Sequence, residues 1–163
     1  MRVVVQRVKR ACVSVQSRVV GSIEKGLFLL VGIERDDTEA EIDTLVRKVV
    51  NLRVWPASDD GSGSPRTREE WKRSVMDIGA GILVVSQFTL LGSVKKGNKP
   101  DFHHAMPPVE ARRLFDRFVE KVKLSYPGGL VQTGAFGEYM EIESFNDGPV
   151  TLLLEVKPKI PPN

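Results

Sequence analysis

The sequence predicts a single α+β domain over residues 1–163, with a mainly antiparallel, curled or barrel-like β-sheet flanked by two helices. Three observations predict it. About eight short segments carry strand patterns, while only two stretches hold a helical period over several turns. The first strand-like segments follow one another closely, and the helices come later, which is not the alternation of a parallel βαβ array. The chain has 163 residues, 41% hydrophobic and 28% charged. That is one domain's worth of chain, able to bury a core without staples.

Residues 2–8 alternate weakly and are rich in valine, and 11–15 and 19–23 read as two further short strands. Residues 26–33 (GLFLLVGI) are continuously apolar, as in a strand buried on both faces. Thr38 and Glu41 then have capping-box spacing. Behind them Ile42, Leu45, Val46, Val49 and Val50 repeat at helical intervals. Residues 56–70 are polar and rich in Gly, Ser and Pro, a surface loop rather than a linker. Residues 81–86 (GILVVS) form another buried strand, and 92–108 a basic loop punctuated by Gly and Pro. Leu114, Phe115, Phe118, Val119 and Val122 mark the second helix, which Pro127-Gly128-Gly129 ends. Segments 130–133, 138–145 and 149–156 complete the strands.

Composition removes several classes of function. The one cysteine, Cys12, permits no internal disulfide and reads as a small core residue. The start MRVVVQRVKR lacks the apolar run of a signal peptide, and no stretch of ~20 apolar residues exists, so a cytosolic protein without membrane contact is expected. Net charge +3 and a pI near 9.1 are compatible with a polyanionic partner without establishing one.

Chemistry has few places to reside. Ser86-Gln87-Phe88-Thr89-Leu90 ends a buried strand, where side chains are held rigidly. A plain strand end with hydroxyls bonded to backbone explains the same residues, and no base accompanies the hydroxyls. Asn146-Asp147-Gly148-Pro149 reads as a turn between two strands. His103 and His104 are adjacent, without an acid partner visible in the sequence, and read as surface histidines. No three-ligand metal spacing, P-loop or GxSxG is present, so neither metal nor cofactor is expected. Lys95, Lys96 and Lys99, with Phe102 close behind, can contact phosphates or be a solvated charge run.

Taken together the motifs go further. Gln6-Arg7-Val8, the buried Gly26-Leu27 to Gly32 segment, Ser86-Gln87-Phe88-Thr89-Leu90, Gly97-x-x-Pro100-x-Phe102, Thr133-Gly134-x-Phe136 and Asn146-Asp147-Gly148-Pro149-Val150-Thr151 span nearly the whole chain. In that order they resemble the D-aminoacyl-tRNA deacylase (D-tyrosyl-tRNA(Tyr) deacylase) family. Two departures stand out: an apparent insertion around 56–73 and an added tail over 157–163.

The resemblance implies hydrolysis of the ester of D-aminoacyl-tRNA, sparing the L form, by a homodimer with active sites at the subunit interface. It implies that Gly148-Pro149 is a cis peptide whose carbonyls face the substrate's chiral centre from the neighbouring subunit, with Arg7 holding that peptide in orientation. A backbone wall excludes an L side chain sterically, and glycyl-tRNA, having none, should not be excluded. Catalysis would reside in Ser86, Gln87, Phe88 and Thr89, either with Thr89 as nucleophile or with backbone N–H donors and the terminal ribose 2′-OH assisting. Phe136 and Met140 are candidates for packing on the terminal adenine, against simple core packing, and Lys95, Lys96 and Lys99 for RNA contact. Two other readings stay open: a nucleic-acid-binding module without hydrolysis, and a hydrolase of simple D-amino-acid esters or peptides acting through Thr89.

Overall fold

The computed structural model describes residues 1–58 and 69–158. The core of the expected insertion at 56–73 and most of the 157–163 tail therefore lie outside the described residues. In chain order the elements are β1 (Arg2–Val15), β2 (Arg18–Ile23), β3 (Gly26–Gly32), α1 (Glu39–Asn51), α2 (Val75–Ile78), β4 (Gly81–Ser86), α3 (Pro108–Ser125), β5 (Val131–Thr133) and β6 (Glu141–Glu155). A short 3-10 helix, Phe88–Leu91, follows β4.

The strands make one curled sheet in the order β2-β1-β3-β4-β5, with β6 on the other edge of β1. The barrel-like α+β class holds, with a more mixed sheet than expected. β1 pairs antiparallel with β2, β3 and β6, but β3–β4 and β4–β5 are parallel. The crossovers run through α1 with α2, and through α3. A long polar segment separates α1 from β4, which hides the first βαβ period in the sequence. The curl brings the sheet's ends together: a Cβ on Gly21 of β2 would lie 2.3 Å from the carbonyl oxygen of Thr133 in β5.

Eight expected strands become six because two pairs fuse. Residues 2–8 and 11–15 are one strand, and 138–145 and 149–156 are largely one strand. Asn146-Asp147-Gly148-Pro149 is therefore not a hairpin turn. Val8 faces Asn146 and Gln6 faces Thr151, so the motif bulges out of a continuous strand. A bulge uses the same small and polar residues as a turn, which is why composition alone misleads.

The helices cover one face of the sheet. Ile42, Leu45, Val49, Leu114, Phe118 and Val122 pack there on Val3, Val5, Leu27, Leu29, Ile82 and Val84. Thr38 caps α1, with the expected capping box to Glu41. Burial pushes the Glu41 carboxyl up, but the hydroxyl and N–H of Thr38 outweigh it and hold the group below its ordinary range. Inside the curl a smaller core forms from Val8, Ala11, Val13, Ile23, Phe28, Leu83 and Val85. Among the described residues no helix is long and apolar enough to cross a membrane.

Candidate active site

Parallel pairing puts the C-terminal ends of β3, β4 and β5 side by side, the end where sheets of this kind carry their sites. β4 is buried up to Val85, and Ser86 emerges half-buried. The Gln87 N–H donates to the Val31 carbonyl at 2.8 Å, and the chain then turns into the 3-10 helix. Arg2 anchors this turn from β1: its Nη1 donates to the Leu90 carbonyl at 2.7 Å, while its Nε pairs with Glu155 at 2.9 Å. Nothing in the sequence pattern marked Arg2 for this task.

Within the turn, Gln87 Nε2 donates to Thr89 Oγ1. Among the described residues the Thr89 hydroxyl thus has an amide for its partner, not a base, and it stands exposed. The Gln87 N–H is engaged with Val31, so it drops out of the expected set of oxyanion donors. The N–H groups of Phe88 and Thr89, in the first turn of the short helix, keep that capacity.

The basic loop is tied to the same turn. Ser93 and Asp101 exchange two backbone hydrogen bonds of 2.8 Å, closing a hairpin-like excursion with Lys95, Lys96 and Lys99 exposed on it. Phe102 packs edge-on against Phe88, centroids 5.1 Å apart. His103, expected to lack an acid partner, has one two residues back: its N–H donates to Asp101 Oδ1 at 2.9 Å and its ring meets the other carboxylate oxygen. Local Asx geometry makes that pair, a pattern short enough to be missed when partners are sought at a distance. The His103 N–H, and then its ring, hold the Asp101 carboxyl below its usual range.

Beyond β5, Gly134 N–H donates to the Val84 carbonyl at 3.0 Å, placing the 133–136 loop beside the end of β4. Phe136 lies half-buried between the Phe115 ring, 5.6 Å away, and the Arg112 guanidinium, 5.4 Å away. It borders a depression of about 610 Å³ between α3 and this loop. Met140 packs on the core inside the curl. Both residues therefore serve packing, whatever else they touch.

The second motif is built by Arg7. Its Nε donates to the Asp147 carbonyl at 3.1 Å and meets the Asp147 carboxylate at 3.3 Å, while Nη1 donates to the Val54 carbonyl. Gly148–Pro149 is a cis peptide. Gly148 has φ +122°, and a Cβ there would lie 3.1 Å from Arg7 Nη2 and 3.0 Å from Val150, so any side chain at this position would be strained and crowded. Val54 is held in turn by Arg73, whose carbonyl accepts from the N–H groups of Val54 and Trp55 and whose Nε donates to Pro56 at 2.8 Å.

Within one chain the two motifs stay apart. Gly148–Pro149 bulges opposite Arg7, which pairs with Leu27, whereas the Gln87 turn begins beyond Val31. Four residues of strand at ~3.3 Å each put about 13 Å between those levels of the sheet. Among the described residues no three His, Cys, Asp or Glu side chains gather as a metal would need.

Known proteins resemble this one over nearly its whole length. The family model described as D-Tyr-tRNA(Tyr) deacylase matches residues 4–155. The D-aminoacyl-tRNA deacylase of Trichodesmium erythraeum is 50% identical over 155 residues, covering 95% of this chain and 96% of the relative. D-aminoacyl-tRNA deacylase 1 of Leishmania major is 46% identical over 157 residues, 96% of this chain and 98% of the relative. A solved structure titled c-Myc DNA Unwinding Element Binding Protein superposes with a TM-score of 0.86 at 44% identity, covering 97% of this chain and 100% of that one.

Proposed function

Because the chain belongs to the D-Tyr-tRNA(Tyr) deacylase family, we propose that it hydrolyses the ester of D-aminoacyl-tRNA, releasing free D-amino acid and tRNA while sparing L-aminoacyl-tRNA. One observation carries the reading: the family match runs through both motifs, the turn after β4 and the bulge in β6.

Chirality would be read by backbone. The Gly148–Pro149 bulge is fixed by Arg7 from one side and Val150 from the other, so it cannot yield as a rotamer would. A wall of that kind leaves space for the α-hydrogen and none for an L side chain. Glycine presents no side chain, so glycyl-tRNA is proposed as a further substrate.

The 13 Å gap calls for a second copy of the chain. Leu30, Val4 and Leu153 form one cross-strand row on the face away from the helices, and none is buried; Leu153 is 61% exposed. A partly uncovered apolar row of this kind, edged by the Arg2–Glu155 and Gln6–Thr151 pairs, fits a homodimer interface. Such a dimer offers a way for one subunit's Gly148–Pro149 to reach the other's Gln87 turn.

Hydrolysis requires a positioned water and stabilisation of the oxyanion. Phe88 and Thr89 N–H groups are the proposed donors, and the terminal ribose 2′-OH supplies assistance that the unactivated Thr89 hydroxyl does not. The lysine hairpin carrying Lys95, Lys96 and Lys99 would meet acceptor-end phosphates. The chemistry is proposed to need no metal or cofactor: exhaustive chelation should leave the rate unchanged, and loss with recovery on added zinc contradicts this. The deciding experiment is deacylation of matched D- and L-aminoacyl-tRNAs. Rapid release from the D form alone is expected, and equal rates on both would defeat the assignment.

A further inference from the structure

Taking the substrate to be aminoacyl-tRNA, as proposed above, we infer that Lys9, Arg10 and Phe145 form a second RNA contact, a stacking platform for the single-stranded nucleotides preceding the esterified one. Phe145 lies across from Arg10 in the β1–β6 ladder and is 51% exposed. The Arg10 guanidinium is 5.3 Å from the ring centroid and the Lys9 ammonium 5.8 Å. Among the described residues the ring is the partner of both cations.

A single exposed apolar side chain needs no explanation. An exposed ring with two cations close by, neither of them in an ion pair among the described residues, is different, because it joins the two features by which proteins hold single-stranded nucleic acid: an aromatic face and nearby positive charge. The ring borders a depression of about 350 Å³ that also presents Glu24, Glu143 and Ser144. These acceptors suit the N–H edges of a base, while Lys9 and Arg10 supply the positive charge for the adjoining phosphates. Place adds to chemistry. Phe145 is three residues before Gly148, no more than about 10 Å along the strand. With Gly148 at the substrate's chiral centre, the platform sits within a nucleotide or two of the ester.

The test uses Phe145→Leu, Phe145→Trp and the Lys9→Ala/Arg10→Ala double variant of the full chain. Binding is measured to uncharged tRNA and to the same tRNA trimmed of its single-stranded 3′ nucleotides. Hydrolysis is measured on D-aminoacyl-tRNA and on the D-aminoacyl ester of adenosine alone. Loss of one stacked base should weaken binding of intact tRNA by about tenfold in Phe145→Leu, with Phe145→Trp retaining it. Trimmed tRNA should bind wild type and Phe145→Leu alike. KM for D-aminoacyl-tRNA should rise with kcat unchanged, and the adenosine ester should react normally. The double variant should lower the slope of log K against log salt by about 1.4, two single-strand phosphates' worth. Wild-type binding of intact tRNA by Phe145→Leu, or an equal loss on the adenosine ester, overturns the platform. Should wild type leave D-aminoacyl-tRNA intact, the deacylase reading falls, and the binding measurements still decide the platform.

Discussion

β4 and β6 belong to one sheet and share almost nothing else. Every residue of β4 up to Val85 is buried, whereas twelve of the fifteen residues of β6 are exposed and none is buried. β4 lies between two parallel neighbours with helices on one face and the inner core on the other. β6 has a single neighbour, β1, along one edge. The chain covers β4 by itself and leaves most of β6 exposed, so the rigid half of the proposed site is internal and the proposed selective half faces outward.

The largest effect should come from charging the uncovered row. Leu153→Asp places an unpaired carboxylate where a second copy is proposed to pack, at a cost of ~3–5 kcal/mol. That raises the dimer dissociation constant by roughly two to three and a half powers of ten. Sedimentation should find a folded monomer, and deacylation should collapse with it; an active Leu153→Asp monomer would break the comparison, since β6 would then need no partner.

On the β4 side the effect should be on folding alone. Leu83 is fully buried, so Leu83→Ala should cost ~2–5 kcal/mol of unfolding free energy. Denaturant titration should show that loss at every protein concentration, whereas any destabilisation by Leu153→Ala should fade on dilution, as linkage to assembly requires.

The turn that ends β4 sharpens the contrast from within the site. Thr89→Ala should keep activity within about tenfold, because the hydroxyl has no base to activate it. Replacing the terminal 2′-OH by hydrogen, on a 3′-linked substrate, should slow hydrolysis ~10²–10³-fold. A folded, dimeric but inactive Thr89→Ala, together with normal turnover of the deoxy substrate, would make Thr89 the nucleophile.

The smallest effect concerns acid. The backbone N–H of Ser74, then its hydroxyl, hold the Asp77 carboxyl below its ordinary range at the cap of α2; Arg2 does the same for Glu155 on β6. Groups whose folded pKa is depressed bind fewer protons folded than unfolded. Their support is complete above the unfolded value near 4 and is lost as pH falls through the folded one. Melting temperature should therefore drop below about pH 4, with a shallower fall in Asp77→Asn. Glu155→Gln should change little, as exposed pairs generally contribute ~0–1 kcal/mol.

The same contrast explains what the sequence reveals. Buried elements are written plainly: GLFLLVG and GILVVS are strands, and the Ile42–Val50 stripe is a helix with its cap. Exposed ones are not. β6 meets the core partway, through Val150 and Leu154 beyond the motif, so Asn146-Asp147-Gly148-Pro149 reads as a turn, and the continuous strand becomes visible only through its ladder with β1. Parallel pairing of β3, β4 and β5 is a non-local fact, and with it goes the convergence of the Gln87 and Gly134 segments. The candidate residues were legible through motif resemblance; the physical links among them were not. Arg2 on Leu90, Val54 on Arg7 and Asp101 on His103 depend on which strand ends meet and how the loops close.

The β1–β6 ladder joins Arg2 to Glu155 and Ser14 to Glu141, pairing the first strand of the chain with the last. Contacts so distant along the chain give the fold a high contact order and make their closure slow. During synthesis β1 can zip to β2 and β3 early, while its other edge waits as an open template for any passing strand. Lys9 and Arg10, beside the place where β6 will bulge, put charge on that waiting edge. The strand bearing Gly148–Pro149 is thus the last of the described strands to be synthesised, and the proposed means of telling one hand from the other is the last part of the ladder to close.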